Sequence, residues 1–390
     1  MALDEQLLDD PDGLAAADPS GSLRALAMAG ASVRMALSAT AEAGLAKIVA
    51  DGRPRAVVVA SLGGSAVVGD ILILLAGSGA PVPVSVRRGL PLPGWVGPLD
   101  LVVAVSMSGR APGPLGLAAE AARRGCRLLT VGAARSPLAE VSERTGGVHV
   151  AVPRSETPAA RASRMALWSL AVPVISVAHD LGLTDASHEV LERVANRLDT
   201  QADQYRPSSD AFVNPAKSLA LELSGVVPVV LGDGDVTGVA ALRAVSMLAR
   251  TARVPAMRGA LPDDAGDVVA TFDGPLARRP EADIFADPEF DDAPAASPQM
   301  RLLLLRDAAP TLDRPDGSWL ETSRTADAVR LTAEDAGVRV TEVAADPGHP
   351  LERLADLISL TDFASVYMAL AGGIDPLTSP HVADLRDRTT

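Results

Sequence analysis

The 390-residue chain is poor in lysine, cysteine and aromatic rings. Lysine occurs only at Lys47 and Lys217, and arginine carries the rest of the positive charge. That bias reflects genome composition rather than function. Lys and Arg together number 35 against 49 Asp and Glu, which leaves a formal net charge of −14. So acidic a surface repels a nucleic-acid backbone unless a basic run overrides it, and the sequence has no such run. Nucleic acid is therefore excluded as a partner, and with it a DNA-binding sensor. The single cysteine, Cys126, excludes an internal disulfide and a cysteine-rich metal cage. Within RRGCRLLTV it reads as a buried strand thiol. Aromatic residues make up 3% of a chain that is 48% hydrophobic, so Ala, Val and Leu must build the cores. Long apolar runs are also missing. ILILLAGSGAPVPVSV (71–86) is broken by Gly and Pro and is too short to span a bilayer. The start, MALDEQLLDD, is acidic where a signal peptide is basic. These absences predict a soluble, cytoplasmic protein with no membrane partner, no metal and no cofactor.

What is present is a rhythm of short apolar runs, glycine turns and helical segments, over a length that suits two domains. Residues 20–50 read as helical. RAVVVAS (55–61), PVPVSV (81–86), LVVAVS (101–106), CRLLTV (126–131) and VHVAVP (148–153) read as strands. LGLAAEAARRG reads as a helix capped by Gly125, and 163–182 as a longer helix. Strands alternating with helices imply a parallel sheet covered on both faces. The pattern then restarts. KSLALELSG (217–225) is helical, and VVPVVLGDGDVTGVAALRAVSMLA (226–249) repeats strand, glycine turn and helix. RLLLLRD (301–307) and VRVTEVA (338–344) are later strands, with helices over 312–336 and 350–371. The fold class expected is therefore α/β, an approximate internal duplication with domains at 1–200 and 201–390. The boundary lies in the polar stretch DTQADQYRPSSD. Residues 271–300, acidic and Pro-rich without a period, read as an exposed, flexible insertion.

In an open parallel sheet, ligands settle at the carboxyl ends of strands, where backbone N–H groups and the next helix N-terminus favour an anion. VVVASLGGSAVVGD (57–70) supplies such a turn, with hydroxyls at Ser61 and Ser65. A tight turn whose glycines serve only packing would read the same way. A second turn, Ser106-Met107-Ser108-Gly109, ends the strand LVVAVS and is followed by Arg110. Two serine-glycine turns on neighbouring strands could converge on one phosphate. The duplicate turn, Gly232-Asp233-Gly234-Asp235, carries carboxylates where an anion site needs donors, so only the first half looks built for phosphate.

GGSAVVGD (63–70), the SMSG turn, NPAKSLA (214–220), VPA (254–256), LPD (261–263) and SVYMALAGGIDP (365–376) resemble, in that order, the bifunctional phosphoglucose/phosphomannose isomerases of bacteria and archaea. These are two-domain sugar isomerase (SIS) proteins. The resemblance runs from about residue 20 to the C-terminus. It implies two SIS subdomains, a homodimer, a small-molecule sugar-phosphate partner, and interconversion of glucose 6-phosphate or mannose 6-phosphate with fructose 6-phosphate. It also implies that Gly64, Ser65, Ser106 and Ser108 hold the phosphate.

The resemblance breaks where the chemistry should lie. Proton transfer between C1 and C2 needs a positioned base and an acid that opens the sugar ring. Arg250 stands at the position of the family's glutamate base, and an arginine stays protonated. Gly266 stands at the position of the ring-opening histidine. Ala111 replaces a phosphate-binding threonine, the arginine of a Pro-Arg-Ala motif is displaced to Arg161, and Arg386 replaces a lysine. Substitute groups would come from Asp263, Asp264 and Asp267, from Glu222, or from His381; a solvated polar loop is the favoured reading of the aspartates, and an ordinary exposed histidine that of His381. Two functions stay open: an isomerase with a rebuilt site, and a catalytically silent sugar-phosphate binder or regulatory partner of a true isomerase.

Overall fold

Apolar runs with no alternation become strands buried on both faces, because helices cover both sides of a parallel sheet. The computed structural model describes residues 3–153, 157–277, 298–308 and 318–389. It divides into two units. One comprises Asp18–Arg206 with His349–Ala355, the other Met1–Ala17, Pro207–Gly348 and Asp356–Thr390.

In the first unit, β1 (Val57–Ser61), β2 (Val84–Arg87), β3 (Leu101–Ser106), β4 (Arg127–Gly132) and β5 (Val148–Ala151) form a parallel sheet in the order β2-β1-β3-β4-β5. Every residue of β1 and β3 is buried. Val58, Ala60, Val102, Ala104 and Leu128 face a core completed by Leu117 and Ala121 of helix Pro112–Arg123 and by Leu138 of helix Pro137–Thr145. The alternate positions Val57, Val59, Val103 and Val105 point to the other face and are equally buried. Prolines at 81 and 83 cannot donate to a ladder, so β2 begins only at Val84, three residues into the predicted run.

In the second unit, β6 (Val226–Gly232), β7 (Met257–Ala260), β8 (Gln299–Arg306) and β9 (Arg339–Ala344) are again all parallel, in the order β7-β6-β8-β9. Val229, Leu231, Leu302 and Leu304 meet Val268, Phe272, Ala326 and Val329 in its core. Helix Pro350–Ala371, which belongs to this unit from Asp356 onward, follows the predicted range and is almost wholly buried. It is long and apolar enough to cross a membrane, yet 94% of its apolar window is buried inside the protein.

Three segments differ from expectation. Helix Leu167–Asp180 starts four residues late, because 163–166 form a turn against the first glycine loop. Residues 271–273, expected in an exposed insertion, form a 3₁₀ turn that puts Phe272 into the core. β8 reclaims residues 299 and 300 from the same stretch, and its central part, 278–297, lies outside the described residues. Finally, helix His188–Gln204 extends into the polar stretch read as a boundary. The predicted helix over 312–336 is described as Ser318–Asp335, and 309–317 lie outside the described residues.

Candidate functional site

The order β2-β1-β3-β4-β5 reverses direction between β1 and β3, which is where an open α/β sheet leaves a crevice at its carboxyl edge. Register places Ser61 beside Val105, so the turns that follow β1 and β3 are neighbours. After β1, Gly63–Ser65 make a 3₁₀ turn that leads into helix Val67–Ala76. At Gly64 a Cβ would stand 2.4 Å from Ser163 Oγ and 2.9 Å from the Arg164 backbone N, so only glycine fits. Ser65 is buried; its Oγ donates to Leu62 O at 3.0 Å and lies 3.5 Å from Val105 O at the end of β3. After β3, Gly109 takes φ +63°, with Ser136 packed where its Cβ would be. Ser106 Oγ accepts the Ala111 N–H at 3.4 Å, and Ser108 Oγ accepts the Arg110 N–H at 3.3 Å. Both hydroxyls thereby brace their own turn and keep an O–H proton to donate. Ser106 is buried; Ser108 and Arg110 are exposed.

Gly64, Ser65, Ser106 and Ser108 are thus gathered at one edge, with two helix N-termini beside them. Amides, hydroxyls and helix ends in that arrangement suit an anion. Sequence reasoning missed one neighbour. Arg161 is exposed on the 3₁₀ turn Ala159–Arg161, whereas Arg164, only 8% exposed, has its backbone against Gly64. An arginine in the apolar run SRMALWSL was the signal, since a buried arginine requires partners.

The residues expected to supply acid and base are spread over the second unit. Arg250 lies in a π-helical turn, Leu248–Ala252, and its carbonyl accepts from Arg253. Arg253 also reaches the carbonyls of Asp375 and Thr378, tying that turn to the C-terminal loop. Leu261 N–H bonds to Gly232 O, so the loop after β7 sits beside the end of β6. In that loop Asp263 and Asp267 are exposed, while Asp264 Oδ2 accepts the Ala260 N–H at 2.7 Å. Gly266 opens helix Ala265–Ala270, and nothing lies within 4 Å of where its Cβ would be. His381 is on helix Pro380–Thr389 with its side chain 99% exposed and 4.0 Å from Asp384. Arg386 is on the same helix, and its side chain lies outside the described residues. Glu222 Oε2 is held by Arg301 at 2.8 Å and by Thr341 Oγ1, near the amino ends of the strands. Among the described residues, no hydrogen bond or ion pair joins His381 to Asp263 or Asp264.

Asp233, which directly follows β6, is different. It is 2% exposed, and burial pushes its carboxyl pKa up to about 6, against the opposing pull of the Asp307 N–H and Arg306.

NPAK and SVY meet inside the same unit. Asn214 caps helix Pro215–Glu222 and hydrogen-bonds Tyr367, whose hydroxyl pKa burial raises. Lys217, with no exposed surface, donates to the carbonyls of Leu8, Pro207 and Ser209 and lies 5.5 Å from the Tyr367 ring centroid. Its three N–H donors meet three acceptors, so the ammonium ties the chain together and leaves no face for a ligand.

Residues 212–389 match the family described as bacterial phospho-glucose isomerase C-terminal SIS domain. That match lies wholly within the C-terminal part of the chain. The chain is also similar to a bifunctional phosphoglucose/phosphomannose isomerase from Caldicellulosiruptor bescii, 28% identical over 200 residues. That alignment takes in 51% of this chain and 57% of the relative, so the chain spans little more than half the length of the curated protein it matches. Among solved structures, a hypothetical protein from Thermus thermophilus superposes with a TM-score of 0.69 at 15% identity, covering 98% of this chain and 94% of that one. A glucosamine-6-phosphate deaminase from Thermotoga maritima superposes at 0.58 and 12% identity, covering 92% and 97%. The two SIS-type sheets, five-stranded and four-stranded, are the shared fold.

Proposed function

We propose that the protein binds a sugar 6-phosphate through the turns after β1 and β3, as a homodimer in the cytoplasm, and that its isomerase turnover is weak or lost. The observation that carries this reading is the adjacency of the two turns, where Ser65 Oγ lies 3.5 Å from the last carbonyl before Ser106. The phosphate would take the turn amides and the protons of Ser106 and Ser108. The resemblance to phosphoglucose/phosphomannose isomerases supports glucose 6-phosphate, mannose 6-phosphate or fructose 6-phosphate as the ligand. Loss of turnover is supported by Arg250, which cannot accept a proton, and by Gly266, which has none to give.

A ligand that binds only the folded chain raises its melting temperature by mass action. Glucose 6-phosphate is therefore expected to raise Tm in wild type, and Ser65→Ala with Ser106→Ala is expected to abolish the shift. An unchanged wild-type Tm across glucose, mannose and fructose 6-phosphates would overturn the reading. Light scattering is expected to report a particle of roughly 80 kDa, twice the chain mass under two-fold symmetry.

A further inference from the structure

The two sheets repeat one plan: β6 lies between β7 and β8 as β1 lies between β2 and β3. The second sheet therefore has its own reversal point, between β6 and β8, at the carboxyl edge where the first sheet has its serine turns. That point is already filled. Asp233 Oδ1 accepts the backbone N–H of Asp307, the first residue after β8, at 2.7 Å, and the Thr237 hydroxyl at 3.3 Å. Its other oxygen meets Arg306 Nε at 3.0 Å. A turn amide, a hydroxyl from the following helix, Asp235–Met247, and a guanidinium are the donors that would hold one face of a phosphate. Here they hold a side chain of the same chain. The carboxylate is 1% exposed, so an external anion cannot reach those donors without displacing it.

We propose that Asp233 is a built-in anion that occupies the β6/β8 reversal point and closes the second unit to phosphate. The duplication thus supplies two cradles, and the chain fills one of them itself. Ser65 follows Gly63-Gly64 after β1 and brings a hydroxyl to its turn; Asp233 follows Gly232 after β6 and brings the oxygens of a carboxylate. Arg306 also contacts Asp327 at 2.8 Å and Glu342 at 3.9 Å. It stays anchored when Asp233 is shortened, and its Nε is then left for a new anion. The idea rests on the anion reading of the first cradle only for the comparison between the two.

The experiment uses inorganic phosphate as the probe and the full chain carrying Ser65→Ala and Ser106→Ala, so that the first cradle is silent. With Asp233 intact, phosphate is expected to leave Tm unchanged. Adding Asp233→Ser is expected to create a phosphate-dependent rise in Tm, half-saturating at a concentration at least about ten-fold below any response of the parent, and adding Arg306→Gln is expected to remove it. If Asp233→Ser gives no cooperative melt, Asp233→Asn, which keeps the size and loses the charge, is read in its place. No phosphate response in the folded Asp233 variant overturns the proposal. So does a phosphate response in the parent that Arg306→Gln abolishes, because the cradle would then be open with Asp233 in place. Failure of the first-cradle reading appears elsewhere, as a missing sugar-phosphate response in wild type, and leaves both of these outcomes readable.

Discussion

Asp233, buried, and the half-buried His149 have pH signatures that run in opposite directions. Asp233 has a folded pKa raised from 3.8 to about 6, chiefly because its carboxylate has lost water. A carboxyl with a raised folded pKa favours the folded state while protonated, so its contribution is full below 3.8 and is lost as pH rises through about 6. A shift of that size is worth about 3 kcal/mol. His149, against Thr130 Oγ1 at 2.8 Å, has its pKa lowered by burial. It contributes stability above its unfolded value and loses it as pH falls. The two trends overlap in wild type, so the measurement is a difference. Denaturant unfolding of wild type and Asp233→Asn between about pH 4 and pH 7 is expected to show wild type gaining, relative to the variant, up to about 3 kcal/mol toward the acid end. A difference that stays flat across that range would mean the carboxyl is solvated. The two carboxylates of GDGD were visible in the sequence, but not which of them is buried. Asp235 is exposed and Asp233 is not, a distinction set by the end of β8, far along the chain.

The elements themselves were legible wherever apolar runs were long. β1, β3, β4, β6 and helix Pro350–Ala371 lie within a residue or two of their predicted ranges, because a strand buried on both faces announces itself by composition. β7 was not legible. Its sequence MRGA has no β-branched residue, and it forms because an edge position beside β6 accepts almost any side chain. The roles of NPAK and SVY were equally hidden, since a lysine in a helix is ordinarily a solvated one. Lys217 instead fastens the helix Pro215–Glu222 to the first residues of the chain, through Leu8 O, and to the segment 207–209. The same helix holds Ala211 O through Ser218, and the Ala211 N–H is taken by Asp9. Lys217→Met keeps the stem and removes every donor, leaving three carbonyls to find water at a cost of about 1–3 kcal/mol each. The variant is expected to lose at least about 3 kcal/mol in denaturant unfolding, with faster amide exchange at Ala211. Unchanged protection at Ala211 would show that the ammonium is not what holds the segment. In the first unit, Gly64→Ala is expected to cost about 1–3 kcal/mol by overpacking against Ser163 and Arg164, and to weaken the sugar-phosphate Tm shift with it. A fully stable Gly64→Ala that binds as wild type does would mean that the close approach is relaxed in solution.

Across the whole molecule, the proposed loss of turnover makes one expectation about catalysis. Aldose–ketose isomerisation needs a group that takes a proton from C2 or C1 and a group that protonates the ring oxygen, and each typically contributes about 10²–10⁴-fold. Arg250 can do neither, and Gly266 has no side chain. Near the β6 edge, Asp264 Oδ2 accepts a backbone N–H, Asp233 is buried, and Asp263 and Asp267 are exposed, while His381 stands in solvent on the C-terminal helix. Purified wild type is therefore expected to convert glucose 6-phosphate or mannose 6-phosphate to fructose 6-phosphate at a rate lower than that of an intact relative by about 10⁴-fold or more, the product of the two smallest losses. The double change Arg250→Glu with Gly266→His is admitted at the second position, where nothing lies within 4 Å of the new Cβ. At the first, it replaces a half-buried side chain in a π-helical turn that Arg253 already braces through its carbonyl. A rise in kcat in the double variant, with a bell-shaped pH profile absent from either single change, would place the lost base and acid at those two positions. Wild-type turnover comparable to that of an intact isomerase would refute the silent reading outright. Separate alanine substitutions at Asp263, Asp264, Asp267 and His381 would then show which of them had become the base, by the one whose loss removes the basic or acidic limb of the profile rather than shifting KM alone.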